Sequence, residues 1–198
     1  MDEAGFAMTL PNAYSWSPIG KRLHVPYEAP GGRRVNAVGA LFYGSRRFEF
    51  WTRARVPKTK RKVIPKRAAG LQESELGVLS AELVIDFIWQ IAGRPADAEE
   101  DWRREKPLVV VLDNYSVHAG KAFQEAREKW RAANIELFYL PSYSPELSAI
   151  EPVWQDVKQH RIRRLSHETL LGLKQDLDST LAAKARTLVS DKSLTATA

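Results

Sequence analysis

Two short apolar runs set the tightest limit on what this chain can fold into. Residues 108–112 (LVVVL) end abruptly in Asp113, and residues 135–140 (IELFYL) stop at Pro141. The first run predicts a strand buried on both faces of a sheet, and the second a further apolar strand. Between them, residues 119–133 place Phe123, Ala126 and Trp130 on one helical face and a Glu125 to Lys129 pair on the other, the pattern of a crossover helix. A strand-helix-strand unit folds right-handed, so its two strands lie parallel and the chain returns to the same end of the sheet. Asp113 stands at that end.

After Pro141 the turn-rich SYSPELS leads into a helix whose buried stripe is Ile150, Val153, Trp154 and Val157. Glu151, 38 positions beyond Asp113 (151 − 113), falls about 60° from Trp154, on the margin of that stripe. The return loop lets it share an edge with Asp113. Carboxylates converging on one point repel each other unless a cation lies between them, and hard oxygen ligands suit Mg²⁺ or Mn²⁺. Two such ions about 3.5–4 Å apart activate an attacking oxygen and stabilise the leaving oxygen of a phosphodiester. Each acid also has a plain structural alternative. Residues 148–151 fit S-x-x-E, a capping box in which Glu151 closes its own helix start, and an acid at a strand end is often a turn former.

The motifs narrow the choice. Asp113, Asn114 and His118 form a D-N-x-x-x-H block; Tyr143, Ser144, Pro145, Leu147, Ile150, Glu151, Trp154 and Lys158 form a second, longer one. Together they resemble the second and third acidic motifs of mariner-like DDE transposases and their bacterial insertion-sequence relatives. Ser148 stands where that family usually has Asn, and Ala149 where it often has Pro. Ser keeps an N-cap and Ala suits a first helical position, although any active-site role of the Asn would be lost. The family's first acidic motif, D-E-x-x-F, is matched by Asp2, Glu3 and Phe6, with the strand expected to lead into Asp2 absent.

The resemblance implies an α/β fold, an RNase H-like mixed sheet flanked by helices, with its first central strand largely missing. It implies Asp2, Asp113 and Glu151 as catalytic residues and ligands of two Mg²⁺ or Mn²⁺ ions. Asn114, His118, Ser148 and Trp154 would support them, His118 chiefly as a hydrogen bonder at a helix entry. Lys158, Arg161, Arg163 and Arg164 would lie near DNA. The implied reaction is cleavage at transposon ends to expose 3′ hydroxyls, followed by strand transfer into target DNA, with double-stranded DNA as the partner in both steps.

The rest of the chain fits around this frame. At 198 residues it suits one domain with a real core, divided here into a catalytic domain over residues 1–165 and a C-terminal helix and frayed tail over residues 166–198. Residues 23–27, 34–43 and 47–52 read as an antiparallel meander, with Trp16 before it as a core candidate. Ser80 caps a sheet-packing helix that ends near Gly93, with Glu82 and Asp86 on its wet face. The acidic loop 95–101 is given no chemistry. A helix with Leu170, Leu173, Leu177 and Leu181 on one side packs on the domain or pairs with a second copy to make a homodimer.

A net charge of +6 favours a polyanionic partner. Residues 53–67 hold eight basic side chains and no acid, read as an extended loop in which Lys58, Lys60, Arg61 and Lys62 contact DNA phosphates or, alternatively, as a solvated linker. The absence of cysteine excludes disulfides and cysteine zinc sites. No stretch reads as a membrane span or a signal peptide, so a cytoplasmic, DNA-associated protein is expected. A missing first strand would leave Asp2 unsupported and activity weak. The alternatives are an inactive DNA-binding remnant or inhibitor, and a cellular RNase H-like nuclease or resolvase.

Overall fold

The computed structural model describes residues 1–8, 17–21, 33–56, 70–113, 120–141, 144–163 and 167–195, with the side chains of Pro145 and residues 191–195 excepted. Strand β1 (Asp2–Ala7) pairs antiparallel with β2 (Arg34–Leu41), which pairs antiparallel with β3 (Phe48–Arg55). Strands β4 (Leu108–Leu112) and β5 (Ile135–Tyr139) are parallel, Leu108 opposite Ile135, and α2 (Lys121–Ala132) crosses between them as the apolar pattern requires. The helices α1 (Ala81–Ile91), α3 (Glu151–Asp156) and α4 (Leu170–Thr195) complete the layers.

The first strand differs from its expectation. Asp2 begins a strand instead of closing one, and Asp2 to Ala7 are all in register with β2, from Asp2 opposite Gly39 to Ala7 opposite Arg34. Asp2 is therefore supported by a ladder, which the sequence reading denied it. Central placement holds at one point, where the Met1 amine donates to the Val111 carbonyl of β4 at 2.7 Å. Beyond that bond the described strands fall into two sheets, β1-β2-β3 and β4-β5.

Strand alternation assigns the two faces. Phe6, Val35, Ala37, Phe48 and Ala54 point towards α3 and α4, whose Val153, Trp154, Leu170, Leu173, Leu177 and Leu181 are buried against them. Val38, Ala40, Val110, Leu112, Ile135 and Leu137 point towards α1 and α2. The predicted burial of β4 on both faces is corrected: Val109 and Val111 are exposed, as is Phe138 of β5, so these two strands are covered on one side. Ser80 caps α1 as expected, accepting from the Leu83 amide, and Glu82, Asp86 and the loop acids Asp97, Glu99, Glu100 and Asp101 face solvent. Glu125 pairs with Lys121 one turn back instead of with Lys129.

The C-terminal helix is bound into the core rather than appended to it. Its leucines share a hydrophobic cluster with three strands, Lys184 reaches Asp156 at 2.6 Å, and the helix continues through Thr195. On the far side Lys174 bonds Asp178 at 2.6 Å and Glu75 at 3.2 Å, and Thr52 donates to Asp178 at 2.6 Å. Among the described residues no helix is long and apolar enough to cross a membrane.

One contact sets the position of α3. Trp154, 1% exposed, stands edge-on to Phe48 and Phe6 at ring separations of 5.6 and 6.5 Å. It rests on Gly39, where an added Cβ would come within 2.8 Å of two of its ring carbons and 2.9 Å of a Phe48 carbon. Gly39→Ala therefore forces the indole off the sheet, at a cost of about 1–3 kcal/mol as for other overpacked cores. Urea unfolding should register that loss; a midpoint unchanged from wild type would mean that α3 adjusts freely.

Candidate functional site

Asp2 enters at the first residue of β1, where the ladder with Gly39 holds its backbone. One carboxylate oxygen accepts from the Glu3 amide at 2.7 Å. Asp113 follows the last residue of β4, and the parallel pairing of β4 with β5 places it beyond the carboxyl end of the sheet. The bond from Met1 to Val111 draws β1 and β4 together two residues before Asp113. As a result Asp2, Glu3 and Asp113 each offer a carboxylate oxygen within 4.8 Å of the others. Asp2 and Glu3 are half-buried and Asp113 is exposed.

Glu151 arrives from the opposite layer. Asp2 lies directly across from Gly39, so both occupy the face on which Trp154 rests, and Glu151 is one turn before Trp154. It is not one of the three acids in the compact cluster, yet its charge bears on Asp2. Burial pushes the Asp2 carboxyl up to about 6; the Glu3 amide hydrogen bond opposes this, and the negative charges of Glu3, Asp113 and Glu151 add to it.

The local start of α3 departs from the capping-box reading. The N-cap is Ile150, in helical conformation with no side-chain cap bond, and Pro152 occupies the first turn. The Glu151 amide donates instead to the Ser148 carbonyl at 3.1 Å, closing a turn through Ala149 and Ile150. Ser148 is thus a turn residue and Ala149 is not the first helical one. Glu151 has no capping partner of the S-x-x-E kind to explain it. Ile150, Val153, Trp154 and Val157 form the buried stripe as expected, and Glu151 is half-buried at its margin.

The predicted cations fare differently. Lys158 is exposed, its ammonium 5.6 Å from the Phe6 ring centre. Arg161 is ion-paired with Asp156, and Arg163 with Asp176 at 3.1 Å, so part of their charge is already matched within the chain. Asn114, His118, Tyr143, Arg164, Trp16, Lys58, Lys60, Arg61, Lys62 and the strand expected over residues 23–27 lie outside the described residues. The basic stretch 53–67 is not wholly a loop, since β3 runs through Arg55.

Glu3 was not among the candidate ligands. The signal available was its place in D-E-x-x-F, but strand alternation alone puts it on the face opposite Asp2. The structure nevertheless places a Glu3 carboxylate oxygen within 4.8 Å of those of Asp2 and Asp113. The cluster opens into a cavity of about 390 Å³ that also contains Gly5, Arg34, Asn36 and Arg55.

Fold and site define an α/β domain with acids from separate strands gathered at one sheet end. Residues 66–174 match the family model described as DDE superfamily endonuclease, and the chain belongs to that family. The match includes Asp113 and Glu151; Asp2 lies outside it. The structure is similar to a chain in the crystal structure of the Mos1 strand transfer complex, with a TM-score of 0.53 and 14% identity over 96% of this chain. The fold is accordingly RNase H-like, and the chain spans about half (51%) of the length of that solved chain. No curated protein matches the sequence.

The raised carboxyl has a measurable consequence. Asp2 holds its proton more tightly folded than unfolded, where a carboxyl titrates near about 3.9. Its contribution to metal-free stability is full below that value and is lost as pH rises through about 6. Divalent-ion binding requires the carboxylate, so Mn²⁺ affinity should increase across the same window. Asp2→Asn should stabilise the metal-free protein at pH 7 by roughly 1–2 kcal/mol. Thermal melts and Mn²⁺ titrations between pH 5 and 8 check both; a melt insensitive to the substitution would show that burial of the Asp2 carboxylate does not strain the metal-free fold.

Proposed function

We propose that this chain is the catalytic part of a DDE transposase, which cuts DNA at transposon ends and joins the exposed 3′ hydroxyl to a target strand. Asp2, Asp113 and Glu151 are the metal ligands in this reading. The observation that carries it is the convergence of Asp2 and Asp113 from separate strands onto one cavity, with Glu151 acting on the same carboxyl from α3.

The donor set fits Mg²⁺ or Mn²⁺: it is all carboxylate oxygen, and burial leaves Asp2 poorly compensated, a cost that a cation removes. When bound, a pair of such ions supplies an activated oxygen nucleophile and charge stabilisation for in-line substitution at phosphorus. The protein's own part is positional. The β1-β2 ladder sets Asp2, the end of β4 sets Asp113, and the seating of Trp154 on Gly39 sets the height of Glu151 above the sheet. Glu3 lies on the cavity face and holds an outer ligand or a water. Lys158 and Arg163, with Arg161, Arg164, Lys58, Lys60, Arg61 and Lys62, contribute phosphate contacts, in keeping with a net charge of +6.

Membership of the DDE endonuclease family supports phosphodiester chemistry, and the solved neighbour is a strand transfer complex, which supports DNA as the partner. Asp113→Asn and Glu151→Gln should each lower Mg²⁺-dependent DNA nicking by at least about 10²-fold, the scale of a lost charge-stabilising group, while DNA binding in EDTA is retained. Cleavage by the Glu151→Gln protein at the wild-type rate would remove Glu151 from the site. Strand-transfer products on linear DNA separate a transposase from a nuclease that cuts only RNA–DNA hybrids or four-way junctions.

A further inference from the structure

The cavity that holds the acids has a cationic far end. Residues directly opposite each other on antiparallel strands share a face, so Arg34 and Asn36 of β2 share one with Arg55 of β3 and with Glu3 and Gly5 of β1. Further along the same face Val38, Ala40 and Trp51 are covered by α1. The sheet face therefore changes from apolar to cationic as it leaves the shelter of α1, and it does so inside the cavity that opens on Asp2 and Asp113. Gly5, with no side chain, keeps the ground between Glu3 and the arginines open.

Two observations mark these arginines as a binding site rather than solvated surface. Arg34 and Arg55 are register partners, a like-charge pair directly opposite across two strands, which destabilises a sheet unless an anion relieves it. Neither forms an ion pair with another described residue, so no carboxylate of the described chain offsets the repulsion between them. Asn36 beside them is a buried polar side chain, 7% exposed, lining the same wall.

We propose that Arg34 and Arg55, with Asn36 between them and the acids, form a second phosphate seat that grips the DNA backbone a few nucleotides from the phosphate held at the carboxylates. Four residues of strand separate Glu3 from Ala7, the partner of Arg34, a distance of about 13 Å, comparable with the spacing of a few backbone phosphates. Guanidinium groups suit this task because each presents a planar fork of donors to phosphate oxygens. The inference rests on the catalytic reading above for the strand's path past the acids, but not for the phosphate contact itself.

The test is binding of a fluorescein-labelled double-stranded DNA oligonucleotide to the full chain in EDTA over a KCl series, beside Mn²⁺ binding followed by electron paramagnetic resonance. Arg34→Gln with Arg55→Gln should weaken DNA binding about tenfold and reduce the salt slope by about one per arginine. Mn²⁺ binding should be unchanged or tighter. The double Arg→Lys variant should keep the slope, which a purely structural role for the arginines would not require, and each single Gln variant should lower it by about one. A Gln double variant with the wild-type slope, or a wild-type chain that does not bind DNA, overturns the phosphate seat. Failure of the wild-type chain to bind Mn²⁺ while the Gln variants still lose DNA would sink the catalytic reading and leave the seat standing.

Discussion

Trp154 resting on the bare backbone of Gly39 is the contact on which the rest of the arrangement depends. It joins the helical layer of α3 and α4 to the centre of the β1-β2-β3 sheet, and it does so directly opposite Asp2. A side chain at position 39 would lift the helix, and Glu151 would rise with it. The aromatic contacts of Trp154 with Phe6 and Phe48 tie the same point to β1 and β3, so all three strands of that sheet share in fixing one carboxylate. The second constraint is the bond from Met1 to Val111, which draws β4 against the start of β1 and delivers Asp113.

The acids gathered by these two contacts work against the metal-free fold. Asp2 is buried enough to resist ionisation, and three other carboxylates add to that resistance. A fold retains such an arrangement where a ligand repays it, and a divalent cation between oxygen donors is the simplest ligand that does. The arginine pair at the other end of the cavity repeats the logic with the sign reversed: two like charges are held opposite each other by strand register, and the proposed phosphate would relieve their repulsion. A phosphodiester strand lying along β1 would answer both needs at once, with one phosphate at the acids and another, a few nucleotides along, at the guanidinium groups.

The local elements were legible because their signals are short-range. Period and capping placed α1 from Ser80, α2 with Phe123 and Trp130 inward, and the leucine stripe of α4, since side-chain direction in a helix follows from spacing alone. The errors arose where neighbours decide the outcome. Val109, Val111 and Phe138 are as apolar as buried core residues, yet all three are exposed, because burial depends on what packs over a face and not on the strand's own composition. Ser148 satisfies the capping-box pattern, but the turn before Pro152 moved the helix start to Glu151. Arg53 and Arg55 read as loop from charge and nearby prolines, while pairing with β2 extends β3 through both.

What the amino-acid order determined by itself was most of the described strands and helices, β1 excepted, the parallel crossover that puts Asp113 at a sheet end, and the two acidic motifs whose family the match over residues 66–174 establishes. These follow from side-chain periodicity, chain handedness and residue identity, none of which needs a distant partner. Which acids meet was decided only by the tertiary structure: Asp2 with Glu3 and Asp113 in one cluster, Glu151 acting from the layer above, and Arg34 beside Arg55 in the same cavity. Strand register and interlayer packing fix those meetings, because both are set by contacts between residues far apart in the chain.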